Sequence, residues 1–302
     1  MCLGIDINGG ILVWGTSKEG VLGLGFDVTS VDIPTRLESL RDIIDVSISD
    51  NHAVAISSIG EAFSWGTGKY GELGLDKSIY TPTPLRLTND KVYSKVFCSN
   101  LITCLLDSNG HFSYFGVIIK LLKGINSTIT VKSLLNDLSV TDPKTLFTEK
   151  YIVELENEQF NSIVIGNGFI GLLSKKGTVF TLEYSDKLTM LYSKHFVYSI
   201  TVAHNDIFGL SIEKTNNIPK SGGVPSNSKN YYLCKWNSKF PEKEVSSEIW
   251  YTTIYKISDD VHIQKLSLLN THGNRGLILL MEKDSSSGGL NSSFLSPAAR
   301  RS

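Results

Sequence analysis

Two stretches near the start of the chain are copies of one another: residues 12–24, LVWGTSKEGVLGL, and residues 63–75, FSWGTGKYGELGL. Overlaid, they place Trp14 on Trp65, Gly15 on Gly66, Gly20 on Gly71, Leu22 on Leu73 and Gly23 on Gly74, every pair 51 positions apart. A chain with such a period folds as a series of like units, each burying its apolar face on a neighbour. The repeat therefore constrains the fold before any local pattern does.

Each copy runs a few β-prone residues into Trp-Gly, then a Gly-rich loop, then Leu-Gly. The indole is a large apolar surface that needs another sheet to cover it. The glycines mark turns that need positive φ or close backbone approach. Upstream of each Trp, apolar residues flank a Gly turn, as in 53–56 and 61–65 around 57–60, which predicts two antiparallel strands. A unit of about 50 residues holding several strands predicts an all-β fold, a β-propeller, rather than a helical solenoid.

The frame continues where the motif fades. In the third unit Phe115 takes the Trp position, and in the fourth Leu182 does. Gly9, Gly60, Gly110 and Gly177 each stand five positions before Trp14, Trp65, Phe115 and Leu182. About five units are recognisable, near 3–50, 51–99, 100–166, 167–204 and 205–283. They predict one propeller domain over 1–283 with an incomplete or irregular ring. Strands are expected at 3–7, 11–14, 33–37, 43–48, 92–98, 151–155, 162–165, 207–212, 231–236, 249–257 and 261–269. Residues 276–281 read as the opening strand of one more unit, without a hairpin mate, and 132–138 as a short helix. The segments 117–148 and 215–230 read as excursions, and the Ser/Gly-rich 284–302 as a disordered tail.

Composition bounds the partners. At 302 residues the chain can bury a large core, and its net charge of −1 gives no long-range pull toward nucleic acid or an anionic membrane. Cys2, Cys98, Cys104 and Cys234 form no CxxC pair and lack a His partner at metal-ligand spacing, which suits reduced thiols of a cytoplasmic or nuclear protein. No apolar run reaches the ~20 residues that span a bilayer. The first residues are expected to enter the first hairpin directly, with no leader before them.

The pattern WGxxxxGxLGxG, with a Gly hairpin before it and a proline stretch after it, resembles the regulator of chromosome condensation repeat. Trp14, Gly15, Gly20, Leu22, Gly23 and Gly25 carry it in the first copy. Trp65, Gly66, Gly71, Leu73 and Gly74 carry it in the second, where Asp76 replaces the last Gly. The resemblance is specific over about 3–98, suggestive to Gly116, and one of register beyond. It implies a seven-bladed propeller, two units more than the chain displays. It also implies, as an alternative function, guanine-nucleotide exchange on a small GTPase, the activity of the family's founding member.

No catalytic, cofactor or metal constellation emerges. His52 holds a repeat corner and reads as a hydrogen-bonded structural ring. No nucleophile keeps fixed spacing to His52, His204 or His272, and the acidic residues are scattered. The loop glycines lack GxxxxGK[ST] and a following helix, so they read as turn glycines. A protein partner is the expected ligand. Lys18, Glu19, Lys69 and Tyr70, inside the two intact Gly loops, are the candidate contacts, because loops on a rigid scaffold carry binding and Tyr is a favoured anchor.

Overall fold

Each hairpin glycine does two things at once. In the computed structural model, Gly9, Gly60, Gly110 and Gly177 have φ of 75, 83, 91 and 80°, a region that costs any residue with a Cβ. Their carbonyls then accept the amide of a residue at the start of the next sheet. Ile43 N donates to Gly9 O at 2.9 Å, Tyr93 N to Gly60 O at 2.9 Å and Phe160 N to Gly110 O at 2.7 Å. The turn that closes one hairpin is thus the peg that seats the following sheet.

The structure describes residues 1–17, 19–75, 80–99, 101–118, 149–166, 168–183, 188–203, 206–212, 231–236, 250–253, 261–271 and 274–283. Lys18, Asp76, the two His at 204 and 272, the helix expected at 132–138, most of the 117–148 excursion, the 215–230 excursion and the 284–302 tail lie outside them.

All described sheets are small and antiparallel. The first holds β1 (Cys2–Ile5), β2 (Ile11–Thr16) and β3 (Ser30–Arg36), in chain order. The second holds β4 (Ile43–Ile48), β5 (His52–Ser57), β6 (Ala62–Thr67) and β7 (Tyr80–Arg86), again in chain order. The third holds β8 (Tyr93–Ser99), β9 (Ile102–Asp107) and β10 (Phe112–Gly116), with one isolated bridge from Tyr114 to Lys150 at its edge. The fourth is β11 (Phe160–Gly166), β12 (Phe169–Ser174), β13 (Val179–Glu183) and β14 (Leu188–Leu191). The fifth is β15 (Phe196–Ala203), β16 (Asp206–Ile212), β17 (Tyr231–Trp236) and β18 (Trp250–Thr253). A last pair joins β19 (Val261–Thr271) to β20 (Asn274–Lys283).

Three expectations are corrected. Residues 151–155 form no strand: Val153–Leu155 is a single 3-10 turn, and the Tyr114 bridge is made before it, by Lys150. Residues 276–281 do not stand without a hairpin mate, because Gly276 pairs with Leu269 and Met281 with Ile263 along β19. The strand at 43–48, which the period places in the first unit, pairs with β5 of the second (Val46 opposite Ala55). Sheets and sequence repeats are therefore out of phase, and each of the first four repeats contributes a strand to its neighbour's sheet.

Two compact units divide the chain. The first comprises Met1–Lys175 and Thr181–Thr189, the second Lys176–Phe180 and Met190–Ser302. In the first unit, Ile11, Val13, Val21, Leu22, Leu37, Leu40, Ile43 and Ala53 close with Trp65 into one core cluster. Val54, Ile56, Leu73, Leu87, Tyr93, Val96, Leu105 and Phe115 form a second. Each cluster takes residues from two successive sheets, as the alternation of apolar positions requires. The edge of β8 is satisfied across sheets: Val96 N donates to Asp45 Oδ2 and Cys98 N to Ser47 Oγ, both at 2.8 Å from β4. In the second unit, Val197 N donates to Gly177 O at 3.4 Å, and Val197, Ile207, Leu210, Cys234 and Trp236 are buried.

Candidate partner-binding rim

The strand β6 begins at the hairpin turn and ends at the second Gly loop, so the Gly loops share one end of the sheets. Each loop is held by the sheet after it. Trp65, fully buried, donates Nε1–H to the carbonyl of Val21 in the first loop at 2.7 Å. A Cβ built on Gly23, whose φ is 74°, would stand 2.9 Å from that indole nitrogen, so the motif's third glycine is the surface on which the Trp lies. The same spacing returns in the second unit, where Trp236 Nε1 donates to Tyr192 O at 3.0 Å. Sequence reading left that partnership unseen because no Trp-Gly follows there.

Trp14 departs from the expectation that another sheet covers the indole. It is only half-buried, with Gly4 beside its ring, and no Gly loop precedes it among the described residues.

In the third sheet the Phe115 ring lies on Gly74, where an added Cβ would stand 3.0 Å from it, but it has no N–H to give. The second-loop carbonyl matching Val21 O is that of Glu72. It receives instead the hydroxyl of Thr103, at 2.7 Å. Having donated there, Thr103 Oγ accepts at 2.7 Å from His52 Nε2, which assigns the Nε2–H tautomer, while Nδ1 lies 3.0 Å from Ser49 Oγ. Burial pushes the His52 pKa down to about 3. His52 is therefore a neutral relay in the core, carrying no substrate-facing nitrogen.

Glu72 also brings a carboxylate indoors. Its residue is 1 % exposed, and Oε2 accepts the Tyr70 amide at 2.8 Å. Burial pushes its pKa up to about 7, against the opposing pull of the Glu72 and Tyr70 amides and, less, of Lys69. The signal was legible as a charged residue where the first copy has Val21, but the period alone does not say that this position faces inward.

Of the candidate contacts, Glu19 is exposed and its Oε2 accepts the Thr67 hydroxyl at 2.8 Å, tying the first loop to the end of β6. Lys69 is exposed and Tyr70 half-buried, its hydroxyl pKa raised by burial and by Glu72. Lys18 lies outside the described residues. The structure adds an aromatic pair that sequence reading passed over. Phe26 and Tyr80 are 75 % and 39 % exposed, with ring centroids 5.8 Å apart and planes tilted by 54°. Tyr80 pairs with Thr67 across β6 and β7, and its hydroxyl covers Gly20, whose Cβ would lie 3.1 Å away. Gly20, next to Glu19 in the chain, thus lies under Tyr80, against which Phe26 packs. Among the described residues no three His, Cys, Asp or Glu gather to hold a metal ion. The four cysteines are unbridged, with Cys98 pushed up to about 12 by burial.

Sheets of up to four strands, the first five pegged in series by hairpin glycines, define an all-β protein of the β-propeller class. Within that class, the family model described as the regulator of chromosome condensation (RCC1) repeat matches residues 8–56 and 60–106, and a second model of the same description matches 43–72. Residues 8–106 are thus regulator of chromosome condensation repeats. The chain is similar to the Protein RCC2 homolog of Xenopus laevis, 31 % identical over 116 residues that cover 37 % of this chain and 22 % of that one. It is likewise similar to the probable E3 ubiquitin-protein ligase HERC3 of Homo sapiens, 31 % identical over 119 residues, 38 % of this chain and 11 % of that one. It matches about a fifth and a tenth of the length of these relatives. Among solved structures it resembles Prp20p of Saccharomyces cerevisiae, with a TM-score of 0.54 at 16 % identity over 86 % of this chain and 78 % of that one.

Proposed function

We propose that the chain is a non-catalytic interaction propeller that docks a protein partner on the rim formed by its first two Gly loops. The observation that carries this reading is the contrast within those loops. Their backbones are pinned by buried bonds, Trp65 to Val21 and Thr103 to Glu72, while Glu19, Phe26 and Lys69 stand out in solvent. A pre-ordered loop with exposed anchors binds at small ordering cost. The domain extends over 1–283, with repeats as the sequence divides them, and the cytoplasm or nucleus is its compartment.

Guanine-nucleotide exchange or other regulation of a small GTPase is the second reading. Prp20p, whose fold the chain shares, is a protein studied for its binding to Gsp1p and histones, and such exchange needs a docking surface rather than covalent chemistry. Chromatin binding ranks below both, since a net charge of −1 supplies no counterion release. The test is proximity labelling with the full chain beside capture on nucleotide-free GTPases, each repeated with Lys69→Glu and Tyr70→Ala. Partners lost in both variants support the rim. A partner set unchanged by both, with the variants folded, overturns it.

A further inference from the structure

We infer that the rim recognises a basic side chain: Phe26, Tyr80 and Glu19 form a receiving site for a lysine or arginine of a protein partner. This rests on the rim reading above and names what the rim would take. The surface joins two chemistries that cations seek together. Phe26 leaves three-quarters of its surface in solvent, its ring contact being Tyr80, and the tilted rings open a wedge whose faces carry partial negative charge. Beside the wedge stands the Glu19 carboxylate, held by the Thr67 hydroxyl opposite Tyr80 in the β6–β7 register.

Among the described residues that carboxylate makes no ion pair, its partner there being a neutral hydroxyl. Asp27 and Asp32, also exposed, follow in the same loop and strand. The exposed aromatic faces and the described carboxylates suit a guanidinium or ammonium head that stacks on Phe26 and offers its N–H donors to Glu19. An aliphatic stem would lie along Tyr80. An anionic or purely aliphatic segment would meet the same carboxylates unpaired.

The site is prebuilt. Gly20, with φ of 72°, is the close approach that lets the Tyr80 hydroxyl cover the loop, and Gly25 N donates to Pro82 O at 3.1 Å, fixing the residue before Phe26 onto β7. Phe26 itself contributes little to the fold, which makes it separable by mutation.

The experiment pans a phage-displayed library of short random peptides against the full chain. It then measures the enriched peptides on wild type, Glu19→Gln, Phe26→Ala, Tyr70→Ala and Ile59→Ser by fluorescence anisotropy. Glu19→Gln keeps an acceptor for Thr67, and Ile59 is exposed in the hairpin turn at the far end of β6, so thermal melts should coincide with wild type. The expected result is enrichment of peptides bearing Lys or Arg beside an apolar residue. Their affinity should fall about tenfold with Glu19→Gln and with Phe26→Ala, and not with Ile59→Ser. Peptides that lose binding with Tyr70→Ala yet tolerate replacement of every basic residue overturn this inference and leave the rim reading standing. Peptides lost only with Ile59→Ser overturn both. Failure to enrich basic sequences overturns the inference.

Discussion

The second and third sheets make the same link to the preceding Gly loop with different atoms. In the second, a buried indole both covers the loop and bonds its carbonyl, Trp65 to Val21. In the third the two tasks are split: Phe115 covers Gly74, and Thr103, from the adjacent strand, bonds the Glu72 carbonyl. Cover is an area effect that any large apolar ring supplies. A buried carbonyl must find a donor somewhere, because leaving it bare costs about 1–3 kcal/mol. The requirement is thus conserved in space while the residue that meets it migrates. By contrast, the hairpin-glycine peg is made of backbone atoms and survives every substitution of the Trp.

The largest break in this comparison is Trp65→Ala. It removes cover and donor together and should cost about 3–5 kcal/mol in denaturant-derived stability of the first unit. Trp14→Ala, at a half-exposed ring, should cost about 1–2 kcal/mol by lost burial. Equal losses would mean that the buried contact with the first loop contributes nothing.

Next in size is Glu72→Gln, whose effect depends on pH. The folded pKa near 7 stands above the ordinary carboxylate value of 4.5, so the unfolded chain releases this proton first. The contribution of Glu72 to wild-type stability should therefore fall as pH rises from about 4.5 through 7, by roughly 2–3 kcal/mol. The Gln variant lacks that slope, so it should gain over wild type at pH near 8 and match it near 4. His52 slopes the other way in both proteins. Its folded pKa of about 3 lies below the ordinary 6.5, so its contribution is lost as pH falls below 6.5. Taking the variant-minus-wild-type difference across a pH series of melts isolates Glu72. A flat difference would place its carboxylate in water.

Smaller, and the sharpest test of the split, are Trp65→Phe and Thr103→Val. The first keeps cover and loses the Val21 bond. The second keeps the volume and strands both the Glu72 carbonyl and His52 Nε2–H. Each should cost about 1–2 kcal/mol, and Phe115→Trp should not rescue Thr103→Val unless the indole can displace the valine from the carbonyl. Smallest of all, Glu19→Gln should leave stability within about 0.5 kcal/mol, since the side chain is exposed and retains its acceptor. A larger loss in urea titration would make Glu19 a structural clamp between loops rather than a free contact.

The period of 51, the five-residue offset of the hairpin glycines and the alternation within strands were enough to name the fold and place most of the strands, though not β7, β14 or β15, because turns and pleats are local requirements written in local residue types. Glu19, Lys69 and Tyr70 were legible as loop positions on the same grounds. Tertiary structure alone decided that 43–48 pairs forward into the next sheet, that Trp14 and Trp65 differ in burial, that Glu72 turns inward, and that Phe26 and Tyr80 meet beside Glu19. The physical reason is common to all four: each depends on which neighbour covers a residue, and a repeat can tell a residue's place in its own unit while the neighbour's side chains set its surroundings.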